Sequence, residues 1–139
     1  MWMRRYTDPD NGPDTALKAA VSPSGNAVVV TGYGNDSVTA EDLTTVAYNT
    51  ATGATLWTRR YIAPGNELST GRALAFTPDG ITVYVTGSVT AAYDAATGAT
   101  RWLAPFGAIA SSVAVSPVTG AVYVTGVASD DYLTIGYNG

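Results

Sequence analysis

Cysteine and histidine are both absent from this chain of 139 residues. The lack of cysteine excludes disulfides, thiol catalysis and thiolate-bound zinc, and the lack of histidine removes the commonest general base and transition-metal ligand. Charge is also sparse, because Asp, Glu, Lys and Arg make up only 13% of the residues and the formal net charge is −4. Lys18 is the only lysine, and the six arginines are scattered or paired. A nucleic-acid partner is therefore not expected.

Long apolar runs are missing too. No segment approaches the length needed to span a bilayer, and the N-terminus MWMRRYTDPD lacks the apolar run of a secretory signal. We therefore expect neither a membrane span nor a signal peptide in this sequence.

Repetition is the dominant feature of what is present. Three copies of one motif occur, namely SPSGNAVVVTG at 22–32, TPDGITVYVTG at 77–87 and SPVTGAVYVTG at 116–126. The first two copies continue into AYNTATGATLW and AYDAATGATRW. The tryptophans that mark successive copies lie 55 and then 45 residues apart. This period is close to the roughly 40 to 50 residues of one β-propeller blade.

Each copy predicts four short strands. In the second copy, a short apolar run ends at the turn Thr77-Pro78-Asp79-Gly80, and a β-branched and aromatic segment follows. Gly87-Ser88 fits a two-residue hairpin loop, and the segment 94–98 supplies the next turn. The pattern predicts an all-β fold of four-stranded antiparallel blades, three blades' worth in a single domain of residues 1–139. The blade units fall near 2–56, 57–101 and 102–139.

The ends of the repeat are out of phase. The segment 2–6 copies 57–61, which closes the first repeat, whereas the third repeat stops at Gly139 before its own tryptophan. Three blades are too few for a closed ring, since propellers have about 4 to 8. We therefore expect the N-terminal strand, residues 1–6, to complete the last blade of a partner chain, so that a homodimer closes six blades. A trimer of nine blades is disfavoured by size, and a fragment of a longer propeller or an engineered unit is the competing explanation.

Recurring aromatic residues occupy fixed positions of the third and fourth strands. We interpret them as filler between blades rather than as a binding site. They are Trp2, Trp57, Trp102, Tyr48, Tyr93 and Tyr137. The pairs Arg4-Arg5 and Arg59-Arg60 fall on outer strands, where charge discourages pairing between exposed edges.

One loop carries a candidate metal site. Asp8, Asp10 and Asp14 alternate with other residues around a glycine, as at the start of a calcium loop. The twelfth position counted from Asp8, where such a loop needs a bidentate glutamate, is Ala19. A plain solvated turn is the alternative, and no other cofactor is expected.

Charged residues also cluster elsewhere in the sequence. Lys18 and Arg72 lie near the start of inner strands and form a candidate anion site at the rim of the central channel. Acidic residues in the first-blade loop, Asp36, Glu41 and Asp42, are interpreted as solvated, as are Asp130-Asp131. No catalytic carboxylate pair can be assigned, because only two glutamates exist and almost all aspartates fall in turns.

The whole chain resembles the bacterial β-propeller repeats of the SBBP type. These repeats carry a core S-P-x-G-x-x-V-Y-V-T-G and a strand D-Y-x-T-x-A-Y, matched here by the three motif copies and by residues 42–48 and 131–137. Residues 47–57 and 92–102 are also similar to the tryptophan-docking motif of PQQ-type propellers. That resemblance implies an architectural role for the tryptophans, and the SBBP resemblance suggests a secreted or cell-surface bacterial protein.

These observations favour a non-catalytic propeller scaffold that assembles with itself and binds a protein or a glycan through the loops of one face. A piece of a quinone-dependent oxidoreductase and a lectin-like carbohydrate binder are the alternatives. The missing cysteine and histidine argue against an enzyme, and fold alone does not decide between binding functions.

Overall fold

The computed structural model describes residues 1–9, 11–35 and 41–138. Asp10, Asp36 and Gly139, which belong to the predictions above, lie outside these ranges. Eleven β-strands and one 3₁₀ turn (Pro64–Asn66) occur in the described residues. The strands are β1 (Asp14–Val21), β2 (Ala27–Asn35), β3 (Glu41–Asn49), β4 (Thr55–Tyr61), β5 (Gly71–Phe76), β6 (Thr82–Gly87), β7 (Val89–Asp94), β8 (Thr100–Pro105), β9 (Ile109–Val115), β10 (Val122–Ala128) and β11 (Asp131–Tyr137). In the described ranges no helix has the length and apolar character needed to cross a membrane.

The strands form three antiparallel sheets, each a meander of sequence neighbours. Blade 1 has the order β1-β2-β3-β4, blade 2 the order β5-β6-β7-β8, and blade 3 the order β9-β10-β11. The predicted all-β propeller architecture is confirmed. Blade 3 contains three strands, so β11 lies at an edge of its sheet among the described residues.

Turn chemistry in the repeats explains why the chain reverses where it does. Asn49 and Asp94 occupy the same place in blades 1 and 2, and each side-chain Oδ1 accepts hydrogen bonds from the two backbone N–H groups that lie two and three residues later. Each turn ends at a glycine with positive φ, Gly53 at 69° and Gly98 at 70°. A side-chain acceptor followed by a left-handed glycine is a strong local turn signal.

The core lies between blades. Val29 and Leu43 of blade 1 share a buried cluster with Val83 and Val85 of blade 2, and all four are fully buried. A second cluster joins the opposite face of blade 2 to blade 3 through residues such as Tyr84, Val122 and Val124. Each fully buried aliphatic side chain contributes roughly 1.5–3 kcal/mol, so stability comes from stacking one blade on the next.

A β-bulge recurs at one position of every innermost strand. Leu17, Arg72 and Ser111 are each skipped in the ladder with the adjacent strand. The glycine that ends the repeated Thr-Gly pair lies beside the bulge, and a Cβ at Gly87 would fall on the carbonyl oxygen of Thr70. Gly87 thus belongs to β6 and permits a close backbone approach. The interpretation of Gly87-Ser88 as a two-residue loop with glycine in a turn position was wrong.

The hairpin of β2 and β3 in blade 1 is longer than the sequence predicts. Strand β2 continues to Asn35 and β3 begins at Glu41, so Gly34 and Asp42 are partners in the ladder. Asp42 is only 1% exposed. The interpretation of Asp42 as a solvated loop residue was therefore wrong, because its strand extends further and buries it.

Candidate assembly interface

The outer strand of blade 1 is fixed to blade 2 by a pair of hydrogen bonds. The indole Nε1 of Trp57 donates to the carbonyl oxygen of Ala95 at 2.9 Å, and Nε of Arg59 donates to that of Gly98 at 2.6 Å. The Trp57 ring lies 6.0 Å from the ring of Tyr93. A Cβ at Gly98 would lie 2.6 Å from the indole, so the tryptophan rests directly on the turn.

The N-terminal segment, Trp2 to Tyr6, makes the same contacts with blade 1. Nε1 of Trp2 donates to the carbonyl oxygen of Thr50 at 2.7 Å, and Nε of Arg4 donates to that of Gly53 at 2.7 Å. The Trp2 and Tyr48 ring centroids are 6.2 Å apart. The segment therefore occupies the position of an outer strand from a preceding blade. In the described part of the chain no strand pairs with it.

The remaining aromatics follow the same scheme. Trp102 of blade 2 lies 5.2 Å from Tyr137 of blade 3 and 5.7 Å from Tyr84 of its own blade. Burial raises the pKa of Tyr93 to about 12 and raises that of Tyr48 as well. Burial disfavours the phenolate, so these side chains are neutral packing groups at physiological pH.

Blade 1 leaves open the face that its neighbour buries. A cavity of about 340 Å³ lies on this face, lined by Val28, Val30, Val46 and Tyr48 and bordered by Trp2. At the corresponding positions of blade 2, Val83 and Val85 are covered by blade 1 and have no exposed surface.

Blade 3 leaves open the opposite face. Tyr123 is 50% exposed, and Val127 and Tyr132 are 54% and 95% exposed. Tyr84, which holds the position of Tyr123 in blade 2, is only 4% exposed because blade 3 packs against it. The two ends of the blade stack thus present an apolar recess and a set of projecting apolar side chains.

An ion-pair cluster lies at the edge of the open face of blade 1. Arg60 lies 2.7 Å from Asp42 and 3.1 Å from Asp8, and both carboxylates are almost completely buried. The backbone N–H of Asp8 donates to the Asp14 carboxylate at 2.9 Å. Burial, followed by the charge of Asp8, raises the pKa of Tyr6. The sequence predicts that the arginine pairs supply charge on exposed edges, but Arg59 instead donates to the turn of blade 2 and Arg60 has two buried partners.

The two predicted ligand sites are only partly assembled. Asp8 and Asp14 do come together, with Asp10 outside the described residues, and Arg60 supplies positive charge beside Asp8. Within residues 1–9, 11–35 and 41–138, no group of three or more acidic, histidine or cysteine residues is placed to hold a metal.

The two residues of the candidate anion site, Lys18 and Arg72, are exposed on the neighbouring inner strands β1 and β5. Both sites remain predictions.

Comparison with known proteins supports the fold. A family model described as outer membrane protein assembly factor BamB matches residues 12–139. A search of curated proteins gave no match. Among solved structures, the RRP9 WD40 repeats align with a TM-score of 0.63 and 15% identity over 88% of this chain and 41% of the other.

Two further solved structures align in the same way. Chaetomium thermophilum Sqt1 bound to the N-terminus of the ribosomal protein L10 gives a TM-score of 0.60 and 18% identity over 80% of this chain and 29% of that one. A chain of the Mitotic Checkpoint Complex gives a TM-score of 0.58 and 15% identity over 89% and 39%. At these identities the likeness shows the fold alone. The chain spans less than half the length of these structures.

Proposed function

We propose that this chain, which belongs to the family described as outer membrane protein assembly factor BamB, is a non-catalytic propeller scaffold, two copies of which close one six-bladed ring. The single observation that carries this proposal is the N-terminal segment. It is docked on blade 1 with the hydrogen bonds of an outer strand, yet has no sheet partner among the described residues.

An open strand edge elsewhere in the chain supplies the missing partner. Strand β11 borders blade 3 on the side where β4 and β8 border blades 1 and 2. Unpaired edge strands expose rows of backbone donors and acceptors, and closed rings remove them. If the N-terminal segment of one copy pairs with β11 of another, the backbone hydrogen-bonding groups of both strands gain partners.

The open faces support the same arrangement. The recess on blade 1 is bordered by valine and tyrosine side chains, and blade 3 projects Tyr123 and Val127. Contiguous apolar side chains left exposed on a protein surface often mark interaction surfaces. Two three-blade stacks placed head to tail cover both faces at both junctions, and six blades fall inside the usual range of about 4 to 8.

Native mass spectrometry of the chain tests the ring. A mass of twice 14.3 kDa is the expected result. A single mass of 14.3 kDa would overturn ring closure, and three times that mass would overturn the six-bladed form in favour of nine blades.

The scaffold part of the proposal rests on the chemistry of the side chains. The sequence has no histidine or cysteine, and the described acidic residues form no metal-binding group, so the residues present do not fit a quinone site that depends on calcium. We propose that the loops of one face of the ring bind a protein or a glycan. Dye-linked dehydrogenase activity with added quinone and calcium would refute the non-catalytic assignment.

A further inference from the structure

We infer that Arg5 of one copy forms an ion pair with Asp131 of a second copy, and that the exchanged strand pairs with β11 in the register Trp2 opposite Gly136. This inference deepens the proposed ring and rests on it. It specifies which atoms meet at each junction, and it can fail while the ring itself survives.

The equivalence of Asp131 and Asp42 follows from the ladders. In blade 1, Thr31 pairs with Thr45, and in blade 3, Thr125 pairs with Thr134. Both threonine pairs bring their hydroxyl oxygens to 3.1 Å. An aspartate stands three residues before the second threonine in each case, which places Asp131 where blade 1 has Asp42.

The outer strand of blade 1 fixes the register to be copied. Trp57 lies opposite Ala47 and Arg60 opposite Thr44, and from there the guanidinium of Arg60 reaches Asp42 at 2.7 Å. The N-terminal segment repeats this strand as Trp2-Met3-Arg4-Arg5-Tyr6. The same register places Trp2 opposite Gly136 and Arg5 opposite Leu133, within reach of Asp131.

The residues at the predicted junction fit their new neighbours. Gly136 stands at the position of Ala47 and Ala92, which are fully buried under outer strands. Tyr123 stands at the position of Tyr84, whose ring lies 5.7 Å from Trp102. An incoming Trp2 would meet Tyr123 in the same way and cover its exposed half.

The two charged side chains of the predicted junction are free to pair with each other. Arg5 and Asp131 are both exposed, and neither forms an ion pair within the described part of the chain. The connection that leads into blade 3 is Phe106 to Ala108, whereas the connection that leads into blade 1 carries Asp8. Arg5 therefore meets one aspartate from β11, with Asp130 beside it, rather than the two that surround Arg60.

Reversal of each charge tests the contact. We expect Arg5→Asp alone and Asp131→Arg alone to weaken the dimer by about 100-fold or more in Kd, because like charges then face each other at both junctions. Mixing the two variants in equal amounts should restore a dimer containing one copy of each, since every junction again joins opposite charges. Native mass spectrometry identifies the mixed species by its mass. Glu67→Arg, a charge reversal at an exposed residue between β4 and β5, should leave the dimer unchanged.

Three outcomes separate the two ideas. A mixed dimer at wild-type affinity supports the ion pair and the register. A wild-type dimer whose single variants stay dimeric, or whose mixture is not restored, overturns the inference and leaves the ring intact. A monomeric wild-type chain overturns the proposed ring itself.

Discussion

At the residue scale, glycine and tryptophan act together at the blade junctions. The turns at Gly53 and Gly98 have the same conformation and the same tryptophan-facing surface, although different parts of the chain dock on them. The repeated sequence predicts these turns well, because an Asn or Asp acceptor and a left-handed glycine are local signals. The sequence does not reveal the partner of Arg59, because this side chain donates to the backbone carbonyl oxygen of Gly98, 39 residues away.

Replacement of Gly98 by alanine separates docking from backbone strain. We expect Gly98→Ala to lower the free energy of unfolding by about 2–3 kcal/mol, because the added methyl group meets the Trp57 ring and φ is positive. Gly120→Ala is the matched control, since its φ is 72° and no atom lies within 4 Å of the new Cβ; it should cost about 1 kcal/mol. Urea unfolding measures both values, and equal losses would contradict a specific role for docking.

At the element scale, the sequence predicts the meanders but not where each strand ends. The alternation of apolar residues and turn signals identifies all eleven strands of the described residues within three repeats. The extended hairpin of blade 1 was missed because its added pairs include Gly34 and Asp42, residues that are uncommon in strands. Arg60 stabilises the buried Asp42 through an ion pair. The register of β3 and β4 creates this contact, so the sequence alone does not reveal it. The N-terminal segment forms no ladder within the described residues, because a ladder needs a second strand and none pairs with it there.

The close backbone approach at the bulge beside each Thr-Gly pair predicts that a side chain at this glycine destabilises the sheet. We expect Gly87→Ala to destabilise the protein by about 3 kcal/mol, because a Cβ there collides with the Thr70 carbonyl and the inner strand must shift. Gly136→Ala should be neutral within about 0.5 kcal/mol, since its new Cβ would lie 3.4 Å from Tyr123, an ordinary contact. Thermal or urea unfolding distinguishes the pair, and tolerance of alanine at position 87 would refute the packing explanation.

At the scale of the whole molecule, the three blades form a stack with unlike ends. Buried clusters join blade 1 to blade 2 and blade 2 to blade 3, while the recess of blade 1 and the far face of blade 3 stay open. Repeat architectures gain stability from contacts between neighbouring units. The end blades should therefore gain most from closure.

Closure should make stability depend on protein concentration. Because association favours the folded state by mass action, we expect the thermal midpoint to rise by about 2–4 °C for each tenfold increase in concentration. Trp2→Ala removes the indole ring and the hydrogen bond that dock the N-terminal segment on blade 1. The thermal midpoint of this variant should therefore depend less on protein concentration. Differential scanning calorimetry over a hundredfold range checks this, and a wild-type midpoint independent of concentration would count against a dimer.

In the proposed ring, each chain is a bifunctional monomer: its N-terminal segment is the strand it donates, and the edge of β11 is the strand edge that accepts one. Such monomers either cyclise or grow into linear polymers, and the choice depends on whether the second junction is reached at high effective concentration. In the proposed six-bladed ring both junctions form within one dimer, which favours the cycle over a fibre. A copy with a defective donor but an intact acceptor would then behave as a chain terminator, and a small fraction of it would limit the length of any polymer that formed.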